Sequence, residues 1–271
     1  MKCALLGLSN NVSNNIQKIK VWSSSFKKHC DGLIILLCAD STAEELQMCV
    51  DLGIMPVPVS IGDTRYINHK RLEKTYQFLE SFDKIDSFLV TDVFDVVFQG
   101  DPFGKMDLNS YDIFVSGEGV KVNQEPWNSD NIKKIFPYSW QSCQEQEVIN
   151  SGIIGGKRLP LIKLFQTMYD LCELGSNDHN IKDQAALIIM VANGSIKNPK
   201  IFNLNDGWAM HCAVSGPTQF FEMWGFKNAI KYGIPKLEGD LVLTKSGQKY
   251  DMVHQFNRVP EWEKIIKNKY E

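Results

Sequence analysis

The sequence predicts an α/β fold: a mostly parallel sheet flanked by helices, with an irregular lobe in its second half. Three observations predict it. Strand-length apolar runs alternate with helix-length amphipathic segments through the first third of the chain. One run, residues 32–39, is continuously apolar, as in strands buried on both faces. The most hydrophobic run of the middle, Ser87-Phe-Leu-Val-Thr-Asp-Val-Phe-Asp-Val-Val-Phe98, carries two carboxylates, Asp92 and Asp95, at its end. Open parallel sheets bind ligands at that end of their strands.

The elements follow in order. Residues 3–8 read as a strand, and 14–29 as a helix opened by an Asn cluster. Residues 42–53 form a helix capped by Ser41 or Thr42 and ended by Gly53. Residues 55–61 read as a third strand, whose Pro56 and Pro58 suit an edge or irregular position. A helix at 68–82 precedes the central strand, 88–93. Beyond it, 112–116 and 148–155 suggest strand or turn, and 160–174 and 181–193 read as helices. Aromatic density rises from 203 to 234, which reads as an acceptor-side lobe of the same domain. With no linker, repeat or low-complexity segment, residues 1–271 read as one domain.

Composition excludes several classes. At 44% hydrophobic residues the chain can build a large core. A net charge of −3 without a dense basic block argues against a nucleic-acid partner. The apolar runs are too short for a membrane span, and the N-terminus reads as a strand rather than a signal peptide. Seven scattered cysteines contain no C-x-x-C pair, which argues against a zinc knuckle and fits a reducing cytoplasm.

Two carboxylates after a buried strand need a partner, because desolvated charge is costly. A hard divalent cation, Mn²⁺ or Mg²⁺, supplies one. The bland alternative is a strand-end turn in which Asp92 or Asp95 caps backbone amides. A third ligand is available in Val253-His254-Gln255-Phe256-Asn257-Arg258, where a neutral imidazole joins the two oxygens and Arg258 can pair with phosphate. His254 alone would more commonly be a core histidine. Asn150-Ser-Gly152 can be an ordinary turn, Asp183 a helix N-cap, and Trp127 or Trp208 packing aromatics rather than sugar platforms.

Thr91-Asp-Val-Phe-Asp95, Asn150-Ser-Gly-Ile-Ile-Gly155, Asp183-Gln184 and Val253-His254-Gln255 occur in that order. The set resembles a GT-A-fold glycosyltransferase, Rossmann-like in architecture. It is most similar to the hydroxylysine glucosyltransferase-type domain of lysyl hydroxylases and to related microbial glycosyltransferase-like proteins. The resemblance implies a metal-dependent enzyme that moves a sugar from a nucleotide-sugar, a UDP-sugar, to a hydroxyl of a glycan, protein or small molecule, with retention. It assigns Mn²⁺ or Mg²⁺ to Asp92, Asp95 and His254. It puts the nucleoside against the end of the first strand, Leu8 and Ser9, and against Phe94. It gives phosphate contact to Lys70 or Arg71, and the sugar and acceptor side to Asn150, Ser151, Gly152, Asp183 and Gln184. The late motif lacks the glycine of the lysyl hydroxylase form, and no hydroxylase domain follows, so a collagen acceptor is not implied.

Rival readings remain. A sugar-nucleotide nucleotidyltransferase would carry a basic, Gly-rich loop after its first strand, and Leu6-Gly-Leu-Ser-Asn10 is poor in basic residues. A haloacid-dehalogenase-like phosphatase would want Asp-x-Asp. A non-catalytic sugar- or nucleotide-binding module would bind without turnover.

Overall fold

The structure, a computed structural model, describes residues 2–62, 67–175, 181–216 and 233–270. Part of the aromatic-rich stretch, including Phe220, Phe221, Trp224, Phe226 and Tyr232, lies outside the described residues.

Four strands form the parallel half of the main sheet: β1 (Cys3–Asn10), β2 (Leu33–Ala39), β3 (Met55–Val59) and β4 (Ser87–Thr91). They lie in the order β3-β2-β1-β4, so the proline-bearing β3 is an edge strand. Helices α1 (Val12–Lys27), α2 (Ala43–Asp51) and α3 (Ile67–Ser81) make the crossovers. Thr42, rather than Ser41, caps α2 through a reciprocal capping box with Glu45.

Period-two alternation splits the core between two faces. Leu5, Ile34, Leu36 and Cys38 pack with Ile19, Trp22 and Phe26 of α1. Leu6, Leu8, Ile35 and Leu37 pack on the other face with Leu72 and Leu79 of α3. Gly7 makes room for the indole of Trp22, since a Cβ there would stand 3.1 Å from the ring. Trp22 Nε1 in turn donates to Thr91 Oγ1 at 2.9 Å, tying α1 to the end of β4.

The second half departs from the parallel pattern. It comprises β5 (Val96–Phe98), β6 (Ile113–Lys121), α4 (Pro126–Ile135), α5 (Trp140–Cys143), β7 (Glu147–Ile149), β8 (Ile153–Lys157), α6 (Arg158–Leu174), α7 (Asp183–Ala192) and β9 (Pro199–Phe202). β8 lies antiparallel between β4 and β6, with Thr91 opposite Ile153. That reversal brings the turn before β8, Asn150-Ser151-Gly152, to the carboxyl end of β4. Helix α6 packs beside α3 on the sheet face opposite α1.

A small sheet completes the architecture. β10 (Ala209–His211) pairs in parallel with β13 (Met252–His254), and β13 runs antiparallel to β5. Helix α8 (Cys212–Ser215) follows β10, and the hairpin β11 (Lys236–Glu238) and β12 (Leu241–Leu243) precedes β13. The last helix, α9 (Pro260–Tyr270), clamps β5 through Tyr270 Oη, which donates to the Phe98 carbonyl at 2.9 Å. No helix among the described residues is long and apolar enough to cross a membrane.

Candidate functional site

Asp92 follows β4, Asp95 precedes β5, and His254 ends β13, so two consecutive strands and one remote in sequence deliver three side chains to one point. Their ligand atoms all lie within 4.8 Å of one another. Backbone bonds hold them there. Asp92 N donates to Gly152 O at 2.8 Å, and Gln255 N donates to Asp95 O at 2.7 Å. Gln255 takes a left-handed conformation (φ 58°), which turns the chain at once after His254.

His254 is buried, while both carboxylates stay partly open to solvent. Its Nε2 lies 3.3 Å from Asp92 Oδ2 and 3.6 Å from Asp95 Oδ1. Among the described residues that nitrogen has no hydrogen-bond partner despite its burial. Burial also lowers the basicity of the ring, so the neutral imidazole that a cation requires is favoured. Gly152 leaves the space the ring occupies, since a Cβ there would stand 2.4 Å from His254 Cε1. An orphaned buried nitrogen facing two carboxylates across a cradle without a side chain fits a divalent cation.

Arg71 of α3 faces the same point. Its guanidinium pairs with Asp92 and, at 2.8 Å, with Asp183 Oδ2. Lys70 points elsewhere, to Glu73 Oε2 and the Tyr169 hydroxyl, each at 3.3 Å. Of the two basic residues only Arg71 therefore reaches the acidic pair. Asp183 also accepts from Ser151 Oγ at 3.1 Å. It is the first residue of α7 and does not cap it, for Lys182 is the N-cap. Gln184 donates to Asn128 Oδ1 at 2.9 Å, and its Oε1 faces Ser151 N at 3.4 Å.

Two clefts adjoin the site, one lined by its aspartates and the other by the neighbouring Asn150 and Gln255. One is lined by Leu8, Asn10, Asn68, Arg71, Phe94 and the two aspartates. Phe94 is half-buried there, with Lys18 Nζ 5.5 Å from its ring centre. Ser9 turns away: it is buried and its hydroxyl donates to the Asn10 carbonyl, so Asn10 takes the place expected of Ser9. The other cleft is lined by Glu118, Trp127, Asn150, Gln184, Gln255 and Arg258. Arg258 thus borders the cleft away from Phe94, not the one expected to take phosphate. Trp127 is 40% exposed and available to a ligand. Trp208 is core: fully buried, stacked on Phe202 at 4.6 Å and bonded to the Pro102 carbonyl.

In the lining of the second cleft stands a group that no motif signals. Glu118 is buried, accepts from Asn150 Nδ2 at 2.7 Å, and is pushed up to about 8 by burial. Asn150 Oδ1 accepts from Gly152 N at 2.7 Å, so one amide orients the turn that cradles His254.

No protein-family model matches the sequence, and no curated protein matches it. Solved structures do match the fold. The galactosyltransferase LgtC, in complex with donor and acceptor sugar analogs, aligns with a TM-score of 0.58 over 98% of this chain and 95% of that one, at 10% identity. An active-site mutant of LgtC aligns equally well. At that identity the likeness establishes the fold, the GT-A fold expected from the sequence.

Proposed function

We propose that the chain is a metal-dependent glycosyltransferase that transfers a sugar from a UDP-sugar to a hydroxyl acceptor with retention, akin to the lysyl hydroxylase glucosyltransferase domains. The observation that carries the reading is the convergence of Asp92, Asp95 and His254 at the carboxyl end of β4, beside two clefts. Phe94, Leu8 and Asn10 offer the nucleoside a partly apolar floor. The triad would hold Mn²⁺ or Mg²⁺, which, when bound, supplies Lewis-acid stabilisation of the negative charge on the leaving diphosphate.

The chain's own residues do the rest. Arg71 adds a fixed positive charge beside Asp92, with donors to offer a phosphate oxygen. Asp183, locked by Arg71 and Ser151, presents a carboxylate whose orientation is set before any ligand arrives. Gln184 and Asn150 line the opposite cleft with Trp127, a set of amides and one indole face suited to a sugar acceptor. Displacement on the face of the departing phosphate needs no enzyme nucleophile. Arg258 would steer the acceptor rather than the diphosphate. The same reading takes residues 1–271 as one catalytic domain acting in the cytoplasm, in keeping with seven free cysteines.

The test is thermal-shift titration with UDP, GDP, CDP and a panel of UDP-sugars, each with Mn²⁺ and with EDTA, on the native chain and on Asp92→Asn and His254→Ala. Expected are stabilisation by UDP that requires Mn²⁺, sugar transfer detected by released UDP, and loss of both in the two variants with the fold intact. Full activity in either variant, or no response to any nucleotide, would overturn the proposal. Mn²⁺-dependent binding without transfer to any acceptor tried would favour the non-catalytic module.

A further inference from the structure

His254 does not stand alone. In the register of the small sheet it lies directly opposite His211, and both rings are sealed from solvent, at 2% and 0% exposure. The rings meet edge to face, with His211 Nδ1 and His254 Nδ1 3.0 Å apart. Two imidazole nitrogens at that distance share one proton, because neither can accept from the other without it. On the far side, His211 Nε2 lies 2.6 Å from Ser116 Oγ, itself buried on β6.

Only two arrangements satisfy this line of groups with both rings neutral. In one, His211 carries the shared proton and His254 bears its hydrogen on Nε2, aimed at the carboxylates. In the other, His254 donates from Nδ1, His211 accepts and donates from Nε2 to Ser116 Oγ, and His254 Nε2 is left as a bare lone pair. A cation among the three ligand atoms requires the second, because it binds only a bare lone pair on the ring nitrogen. His254 Nε2 forms no hydrogen bond with Asp92 or Asp95 although both are near.

We infer that His211, backed by Ser116, is a positioning residue that fixes the tautomer and ring orientation of His254 so that its Nε2 lone pair faces the cation. This rests on the triad being a metal site. Partners of this kind orient metal-binding histidines, and their removal typically weakens metal binding about 10- to 100-fold.

The experiment is calorimetric or paramagnetic-resonance titration with Mn²⁺ alone, without nucleotide, and melting in EDTA as a measure of folding. Four variants join the native chain: His254→Ala, His211→Leu, His211→Asn and Ser116→Ala. Leucine fills the space but accepts nothing, whereas asparagine can offer a carbonyl oxygen near the Nδ1 position. Mn²⁺ binding that His254→Ala abolishes, that His211→Leu weakens at least tenfold and that His211→Asn largely restores would bear the inference out. Equal affinities for leucine, asparagine and native chains would overturn it, and so would equal losses in the two His211 variants, which would make the role one of packing. If His211→Leu does not fold, Ser116→Ala decides: a several-fold weaker Mn²⁺ affinity supports the relay, and native affinity refutes it. A native chain that binds no Mn²⁺ removes the triad reading itself. Native binding with an indifferent His211 removes only this inference.

Discussion

Glu118 ties the chemistry of one side chain to the stability of the molecule. Burial pushes its carboxyl up to about 8 in the folded chain, from an ordinary 4.5. Between those values the folded state keeps a proton that the unfolded state has released, so native stability falls as pH rises through the window. In Glu118→Gln this dependence disappears, while the carbonyl still accepts from Asn150. Urea titrations in EDTA should therefore show the variant gaining on the native chain by up to about 1.4 kcal/mol per pH unit between pH 5 and 8. A difference that stays flat across that range would mean Glu118 is ionised in the fold. Neither Glu118 nor His211 was legible in the sequence. Each is one polar side chain within a strand, Glu118 in β6 and His211 in the three-residue β10, and only pairing with a remote strand or turn gives it a role. Asp92, Asp95 and His254 were legible because carboxylates after a buried strand pose a solvation problem that a late histidine helps to solve.

At the scale of elements, legibility follows length and continuity. β1, β2 and β4 are apolar runs long enough to read directly, and α1 to α3 have caps or clear amphipathic periods. β5 and β10 are three-residue strands whose pattern is too short to distinguish from a loop, whereas the run 251–253 reads as a strand and β13 stands there. The choice between Lys70 and Arg71 was closed to sequence reasoning for a related reason: one residue rotates a helix by about 100°, and the register of α3 over the sheet is set by packing. The capping box of α2 is a feature at the start of one helix. Glu45 there also accepts from Ser13 N and Oγ, joining the starts of α1 and α2. Thr42→Ala should lower stability by about 1 kcal/mol in urea unfolding and leave Mn²⁺ affinity unchanged. A loss of metal binding would mean that this side of the sheet communicates with the triad.

Across the whole molecule, the main sheet is a platform on which two clefts and one three-ligand point are mounted. A cation bound only by the folded chain adds stability by mass action. Mn²⁺ at a hundred times its dissociation constant should raise the unfolding free energy by about 2.7 kcal/mol, and EDTA should return it to the metal-free value. A melting temperature indifferent to both would show that the three groups do not act together. The small sheet gives this linkage a temporal side. β5 precedes most of the main sheet's second half in the chain, and β13 comes near the end, yet they pair directly. On a ribosome, Asp92 and Asp95 therefore emerge long before the histidine that completes them. An unfinished nascent chain carries two carboxylates and no third ligand. Under the proposed function, loading with metal would mark a chain that has been translated through β13 and correctly closed.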